Sequence, residues 1–112
     1  MPRTPKRLWG PALVATGPAT VYTAPAGQKT RLRFLWINNP SASIVTLSLS
    51  IGADAAATRM FETYNIPAKG PGITDSNRPL FVDITLEAGE IIQLSAGTNN
   101  VLTCMGSGEE GV

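Results

Sequence analysis

Residues 30–51 read TRLRFLWINNPSASIVTLSLSI and contain the two clearest strand patterns of the chain. The second half alternates strictly between apolar and hydroxyl-bearing residues. Its apolar members are Val45, Leu47, Leu49 and Ile51. Successive side chains of a β-strand point to opposite faces, so this segment is predicted to bury one face and leave the other in water.

The first half of the stretch carries an apolar face and a mixed face. The apolar face consists of Leu32, Phe34 and Trp36, and this pattern predicts that both aromatic rings lie in the core. The mixed face starts with Arg31 and Arg33 and ends apolar. Residues 38–43, which join the two halves, are rich in turn residues. We therefore predict a long β-hairpin on which the other strands pack.

Turn residues divide the rest of the chain into further short segments. Strands are predicted over residues 11–16, 19–23, 59–65, 80–86, 91–96 and 101–106. Residues 73–79 are predicted as a polar loop, and residues 52–57 as either a loop or a short helical turn capped by Asp54. Seven or eight short strands with regular turn signals predict an all-β fold. The expected architecture is an antiparallel β-sandwich, either a jelly roll or immunoglobulin-like.

Both chain ends are predicted to lie outside the sandwich, which would comprise residues 11–106. Residues 1–10 (MPRTPKRLWG) show no strand or helix periodicity, so we expect an extended N-terminal arm, with a disordered tail as the alternative. Cations and a tryptophan are suited to anchoring a partner. The predicted docking residues are Arg3, Lys6, Arg7, Leu8 and Trp9. Residues 107–112 are predicted to form a short acidic tail.

Charge is distributed unevenly along a chain of net charge +1. Residues 1–33 hold six basic groups and no acidic one, whereas residues 34–112 hold three basic and eight acidic groups. Such polarity would steer one copy onto the next, or onto an acidic partner. Nucleic-acid binding would need a basic domain, so we expect no nucleic-acid partner. No apolar run is long enough to span a membrane, and the N-terminus lacks the apolar segment of a signal peptide.

Few residues suggest reaction chemistry. The chain has no histidine, which excludes a Ser–His or Cys–His nucleophile, and its single cysteine, Cys104, is predicted to be a buried apolar residue. Asp75 and Asn77 lie in a loop but lack the ligand spacing of a calcium site. The remaining carboxylates are placed by the pattern on solvent faces, turns or the tail. They include Asp83, Glu87, Glu90, Glu109 and Glu110. We predict no enzymatic activity, no metal and no cofactor.

Several turn-and-strand motifs do resemble a known group. They are VYTAPAGQKT at residues 21–30, VTLSLSIG at 45–52, TLEAGEIIQ at 85–93 and VLTCMGSGEE at 101–110. Together with the asparagine-rich turn at residues 38–39, these motifs resemble small virion proteins of tailed bacteriophages. The resemblance covers about residues 20–112 and leaves out the N-terminal arm.

The resemblance implies a non-enzymatic structural protein of the virion, made in the host cytoplasm. It would be an accessory subunit of the tail, tail tip or neck, docked on tail, neck or major capsid proteins as a homo-oligomer such as a trimer. A capsid decoration protein is the first alternative. A carbohydrate-binding or host-adhesion module is the second, and it would need an exposed aromatic platform from Tyr22, Tyr64 or Phe81.

Overall fold

The computed structural model describes residues 4–68 and 76–111, and the side chains of residues 5–68 and 82–111. Eight β-strands and no helix lie in this part of the chain. The strands are β1 (Thr4–Leu13), β2 (Ala19–Thr23), β3 (Lys29–Asn39), β4 (Val45–Ile51), β5 (Arg59–Ile66), β6 (Ser76–Leu86), β7 (Ile91–Ala96) and β8 (Thr103–Gly111). The predicted all-β class is confirmed.

The strands form two four-stranded antiparallel sheets packed on each other. The front sheet has the order β1-β8-β3-β6, and the back sheet has the order β2-β7-β4-β5. The pairing is nested along the chain: β1 pairs with β8, β2 with β7, β3 with β6, and β4 with β5. This is one long double-stranded ribbon rolled into a sandwich, so the predicted β-sandwich is of the jelly-roll type.

The core lies between the sheets and is built from aliphatic residues of both. Its fully buried members include Leu32, Leu35, Ile37, Leu47, Leu49, Ile66, Leu86, Ile92 and Leu102. Each such side chain stabilises the fold by about 1.5–3 kcal/mol relative to an exposed one. In β4, Val45, Leu47 and Leu49 are buried as predicted. The alternation ends at Ser50, which is also buried, and Ile51 is only half-buried. The Ser50 hydroxyl donates to Asp54 in the following loop (2.9 Å), which satisfies the buried group.

The predicted hairpin over residues 30–51 is wrong. β3 pairs with β6 and β8, whereas β4 pairs with β5 and β7 in the other sheet. Asn39, which is fully buried, organises this crossing between sheets. Its amide nitrogen donates to the carbonyls of Ser43 (2.9 Å) and Ile66 (3.1 Å), and its side-chain oxygen accepts from the backbone N–H of Ser41. The connection therefore closes the sandwich at one end.

The separate N-terminal arm and acidic tail are also wrong for the residues that the structure describes. Thr4–Leu13 is the edge strand β1 of the front sheet, and Thr103–Gly111 is the strand β8 beside it. An edge strand tolerates Pro5 and Pro11 because its outer N–H groups have no ladder partner. These prolines and the neighbouring cations interrupt the alternation of apolar and polar residues, so the sequence of β1 lacks the usual pattern of a strand.

Other predicted segment boundaries also differ from those of the structure. Of the strand predicted over 11–16, only residues 11–13 are strand, as the end of β1. The strand predicted over 101–106 starts at Thr103 and extends to Gly111 as β8. β6 starts at Ser76, inside the predicted polar loop. Residues 52–58 form bends and a turn rather than a helix.

Candidate docking face

The outer face of the front sheet carries a solvent-facing apolar patch, made of Leu13, Phe34, Trp36 and Met105. Trp36 is 38% exposed and Leu13 is 59% exposed, while Phe34 and Met105 are half-buried. The rings of Phe34 and Trp36 lie with their centroids 6.0 Å apart at an angle of 35°. Both belong to β3, an inner strand of its sheet.

Strand pairing places the four patch residues next to one another. Trp36 in β3 lies opposite Met105 in β8, so their side chains share one row across the sheet. Leu13 in β1 lies opposite Thr103, two residues before Met105 in β8. The apolar patch therefore extends over three adjacent strands.

A β-bulge turns the aromatic rings outward. Leu32 lies opposite Gly108 and Phe34 lies opposite Ser107, so β3 has one extra residue, Arg33, relative to β8. An extra residue reverses the facing of everything beyond it. Leu32 and Leu35 are consequently both buried. The expectation that Phe34 and Trp36 lie in the core is therefore wrong: Trp36 is exposed, and Phe34 is half-buried but does not pack on the core between the sheets.

Glycine in β8 makes this bulge possible. A Cβ atom on Gly108 would overlap the carbonyl oxygen of Arg31, so the two strands approach this closely only where the side chain is absent. Glycine within a strand is a known sign of a bulge. Gly108 is thus a sequence signal for a bulge, but it identifies the exposed face of β3 only once its pairing with Leu32 is known.

Ion pairs border the apolar patch. Arg31 donates two hydrogen bonds to Asp83, from Nε (2.6 Å) and Nη2 (2.7 Å), and these raise the pKa of the guanidinium. Arg33 Nη1 lies 3.6 Å from Glu109 Oε1. Arg7, in β1, is exposed and makes no ion pair with any residue that the structure describes.

The uneven charge of the sequence is largely compensated within the fold. β1 pairs with β8, and β3 pairs with both β6 and β8, all antiparallel. Cations from the first third of the chain therefore lie beside carboxylates from the last third. The resulting pairs include Lys6–Glu110, Lys29–Glu87, Arg31–Asp83 and Arg33–Glu109. The steering polarity expected from the sequence is therefore reduced in the folded molecule.

The residues predicted to dock a partner through an arm do not form one surface. Trp9 is only 7% exposed, and its ring packs directly on Gly106, where a Cβ atom would overlap it. Leu8 is half-buried against the core. Lys6 binds Glu110 at 3.1 Å. Among the predicted docking residues that the structure describes, only Arg7 is exposed and makes no ion pair. Arg3 lies outside the described residues.

A buried polar network joins the two sheets at the end where β8 finishes. The hydroxyl of Tyr22 hydrogen-bonds the hydroxyl of Thr30 (2.8 Å) and donates to the carboxylate of Glu110. Burial, followed by the bond to Glu110, raises the pKa of Tyr22 to about 12. The hydrogen bonds from Tyr22 and then Lys6 lower the pKa of Glu110. We interpret this network as a structural link between sheets.

Tyr22 and Tyr64, the two described residues of the predicted carbohydrate platform, do not form an exposed aromatic surface. Tyr22 is buried in the network, and Tyr64 is half-buried with its ring 5.7 Å from that of Phe61. The side chain of Phe81 lies outside the described part. The aromatic pair on the outer face consists of the exposed Trp36 and the half-buried Phe34, both of which the sequence pattern assigns to the core.

Cys104 and Asp54 are either buried or hydrogen-bonded within the described part of the chain. Cys104 is buried as predicted, and burial raises the pKa of its thiol to about 12. Asp54 accepts hydrogen bonds from Arg59 and Ser50, which lower its pKa. Within the described residues, no three carboxylate or thiol groups lie close enough together to hold a metal ion. Asp75 and the side chain of Asn77 fall outside that range.

Within the described residues, no helix is long and apolar enough to cross a membrane. Comparison of the chain with protein-family models gives no match, and comparison with curated proteins gives none either.

Proposed function

We propose that this protein is a structural subunit of a tailed-bacteriophage virion, an accessory component of the tail, tail tip or neck. It attaches to neighbouring subunits through the outer face of the front sheet. The turn-and-strand motifs at residues 21–30, 45–52, 85–93 and 101–110 support the virion assignment by resemblance. The jelly roll is used by viral capsid and lectin domains, which is an analogy at the level of the fold.

The observation that carries the docking role is the exposed ring of Trp36 on an inner strand. A large aromatic side chain in the middle of a solvent-facing sheet leaves apolar surface in water, which a bound partner would cover. Tryptophan is also among the residues that contribute most to binding when buried at the centre of an interface.

The composition of the face fits a protein partner. Interfaces between proteins are enriched in aromatic residues, methionine and arginine, and their charged residues lie mainly at the rim. The apolar patch contains Phe34, Trp36 and Met105, and the ion pairs of Arg31 and Arg33 border it.

The test uses particles of the phage whose genome encodes this chain. Mass spectrometry of gradient-purified particles should detect the wild-type protein, and a cryo-EM map should place it on the tail or neck. Density on the head instead would favour the alternative role as a capsid decoration protein. Absence of the protein from intact particles would contradict the proposal.

A matched pair of variants tests the docking face. Trp36→Ser should reduce incorporation into particles, because it removes the anchor of the apolar patch. Met60→Ser is the control, since Met60 is 56% exposed but lies in β5 of the back sheet. Equal incorporation of both variants would exclude the front sheet as the attachment surface.

A further inference from the structure

We propose that a second copy of this chain covers the apolar patch, so that two front sheets pack face to face about a twofold axis parallel to their strands. The proposal names a partner for the docking face described above and therefore rests on that part of the proposed function. It follows from the size of the face, the position of its apolar residues and the placement of its charges.

The face is large enough for a specific but weak dimer. β8 contributes nine residues, which at about 3.4 Å each extend roughly 30 Å, and four strands about 4.8 Å apart cover roughly 19 Å. The flat footprint is then roughly 500–600 Å² on each copy. Two copies would bury a little over the roughly 1,000 Å² expected of a specific interface.

The apolar residues lie where a twofold contact would bury them. The order β1-β8-β3-β6 puts β8 and β3 in the middle of the sheet. These strands carry Met105, Phe34 and Trp36. An axis running between β8 and β3 would place Trp36 of each copy over Met105 of the other, with Phe34 beside them over Ser107, so most of the apolar surface is covered.

The charges at the two margins of the sheet are complementary under the same rotation. An axis parallel to the strands places β1 of one copy over β6 of the other. Arg7 in β1 is exposed and lies level with Phe34, because both pair with Ser107. On β6, Asp83 lies two residues beyond Phe81, which pairs with Phe34 from the other side.

Arg7 of each copy would therefore approach Asp83 of the other. The side chain of Asp83 accepts both hydrogen bonds from Arg31 and is 58% exposed, so Arg7 of the other copy would join an existing ion pair at the surface rather than bind an unpaired carboxylate. A rotation axis perpendicular to the strands would place β1 over β1 instead, and would bring Arg7 no carboxylate from β6. Charge placement thus selects the axis.

Sedimentation equilibrium of the purified full chain, from about 1 µM to about 500 µM, tests the association. Wild-type protein and Met60→Ser should both dimerise. Trp36→Ser and Leu13→Ser should weaken the dimer by about tenfold or more, since each removes exposed apolar surface from the patch. Circular dichroism and denaturant midpoints of the same samples verify that each variant is folded.

Charge reversal tests the orientation. Arg7→Glu alone and Asp83→Arg alone should each weaken self-association, because each homodimer would then oppose two like charges. An equimolar mixture of the two variants should restore dimers, since both contacts of the mixed pair again join opposite charges. This rescue by mixing is specific to reciprocal Arg7–Asp83 contacts.

The outcomes are distinct. A wild-type chain that stays monomeric across the range, or a dimer that Trp36→Ser leaves unchanged, would overturn the proposal. Failure of the mixture to recover would overturn the Arg7–Asp83 arrangement, and with it the proposed axis. Because these measurements need no particle, they are independent of whether the chain is found in virions.

Discussion

The hydroxyl of Tyr22, in the back sheet, donates a hydrogen bond to the carboxylate of Glu110, in the last strand of the front sheet. Thr30 hydrogen-bonds the same hydroxyl, and Lys6 holds the same carboxylate. The first and last strands of the described chain are thereby fixed to each other and to the opposite sheet. These hydrogen bonds explain how the Tyr22 hydroxyl is tolerated at the end of a core that otherwise consists mainly of aliphatic side chains.

Removal of the Tyr22 hydroxyl should destabilise the fold. In Tyr22→Phe the buried hydroxyl of Thr30 and the carboxylate of Glu110 each lose a partner, which should lower the free energy of unfolding by about 1–3 kcal/mol. Urea denaturation of both proteins measures the difference. A variant as stable as the wild type would show that the hydroxyl is not a structural link.

Acid should weaken this link in a predictable direction. The pKa of Glu110 is lower in the folded chain than its ordinary value, so its contribution to stability is complete above the unfolded pKa. It is lost as pH falls through the folded pKa. Between about pH 6 and pH 3, wild-type protein should therefore lose more stability than Glu110→Gln.

The control for this pH series is Glu87→Gln, which changes an exposed glutamate that lies 3.7 Å from Lys29. It should follow the wild-type profile closely. Parallel curves for wild type and Glu110→Gln would contradict the assigned role of Glu110.

The two tryptophans should differ sharply in their effect on stability. Trp9→Ala empties a buried site over Gly106 and should cost about 3–5 kcal/mol. Trp36→Ala removes a ring that is partly in solvent, so it should cost clearly less. Guanidinium denaturation of the two variants makes the comparison. A small effect of Trp9→Ala would instead favour the free N-terminal arm suggested by the sequence.

Leu47→Ala should cost about 2–5 kcal/mol, the range for a cavity at a fully buried leucine. Ile44→Ala is the matched control, because Ile44 is an aliphatic residue exposed in the connection before β4. A loss below about 1 kcal/mol for Leu47→Ala in the same melt would contradict its place in the core.

Cys104 should be inert in the folded protein. Burial raises the pKa of its thiol to about 12, and the thiolate is the form that attacks disulfide reagents. An aromatic disulfide reagent at mildly alkaline pH should therefore label it only after denaturant is added. Rapid stoichiometric labelling of the native chain would contradict this burial.

Local pattern in the sequence predicted the fold class and several strands well. Strict alternation at residues 45–49 identified β4 and its buried face, and Pro/Gly turns bounded β2 and β7. These features depend only on neighbours in the chain. The jelly-roll order itself depends on which distant strands pair, and nothing local in residues 38–43 distinguishes a hairpin from a crossing between sheets.

The outward facing of Phe34 and Trp36 also depends on a distant part of the chain. One extra residue, Arg33, inverts the facing of Phe34 and Trp36, and the inversion is visible only once Gly108 is known to lie opposite Leu32. Similarly, Trp9 was interpreted as an anchor for a partner because the strand that carries it has prolines and cations. Its burial depends on Gly106, almost a hundred residues later.

Hydroxyl-radical footprinting of the wild-type chain tests the docking face most directly, because one experiment measures both sheets. As self-association proceeds, oxidation of Trp36 and Met105 should fall while that of Met60 stays constant. Oxidation of Trp36 that stays parallel to that of Met60 at every concentration, and in purified particles, would contradict a docking role for the front sheet.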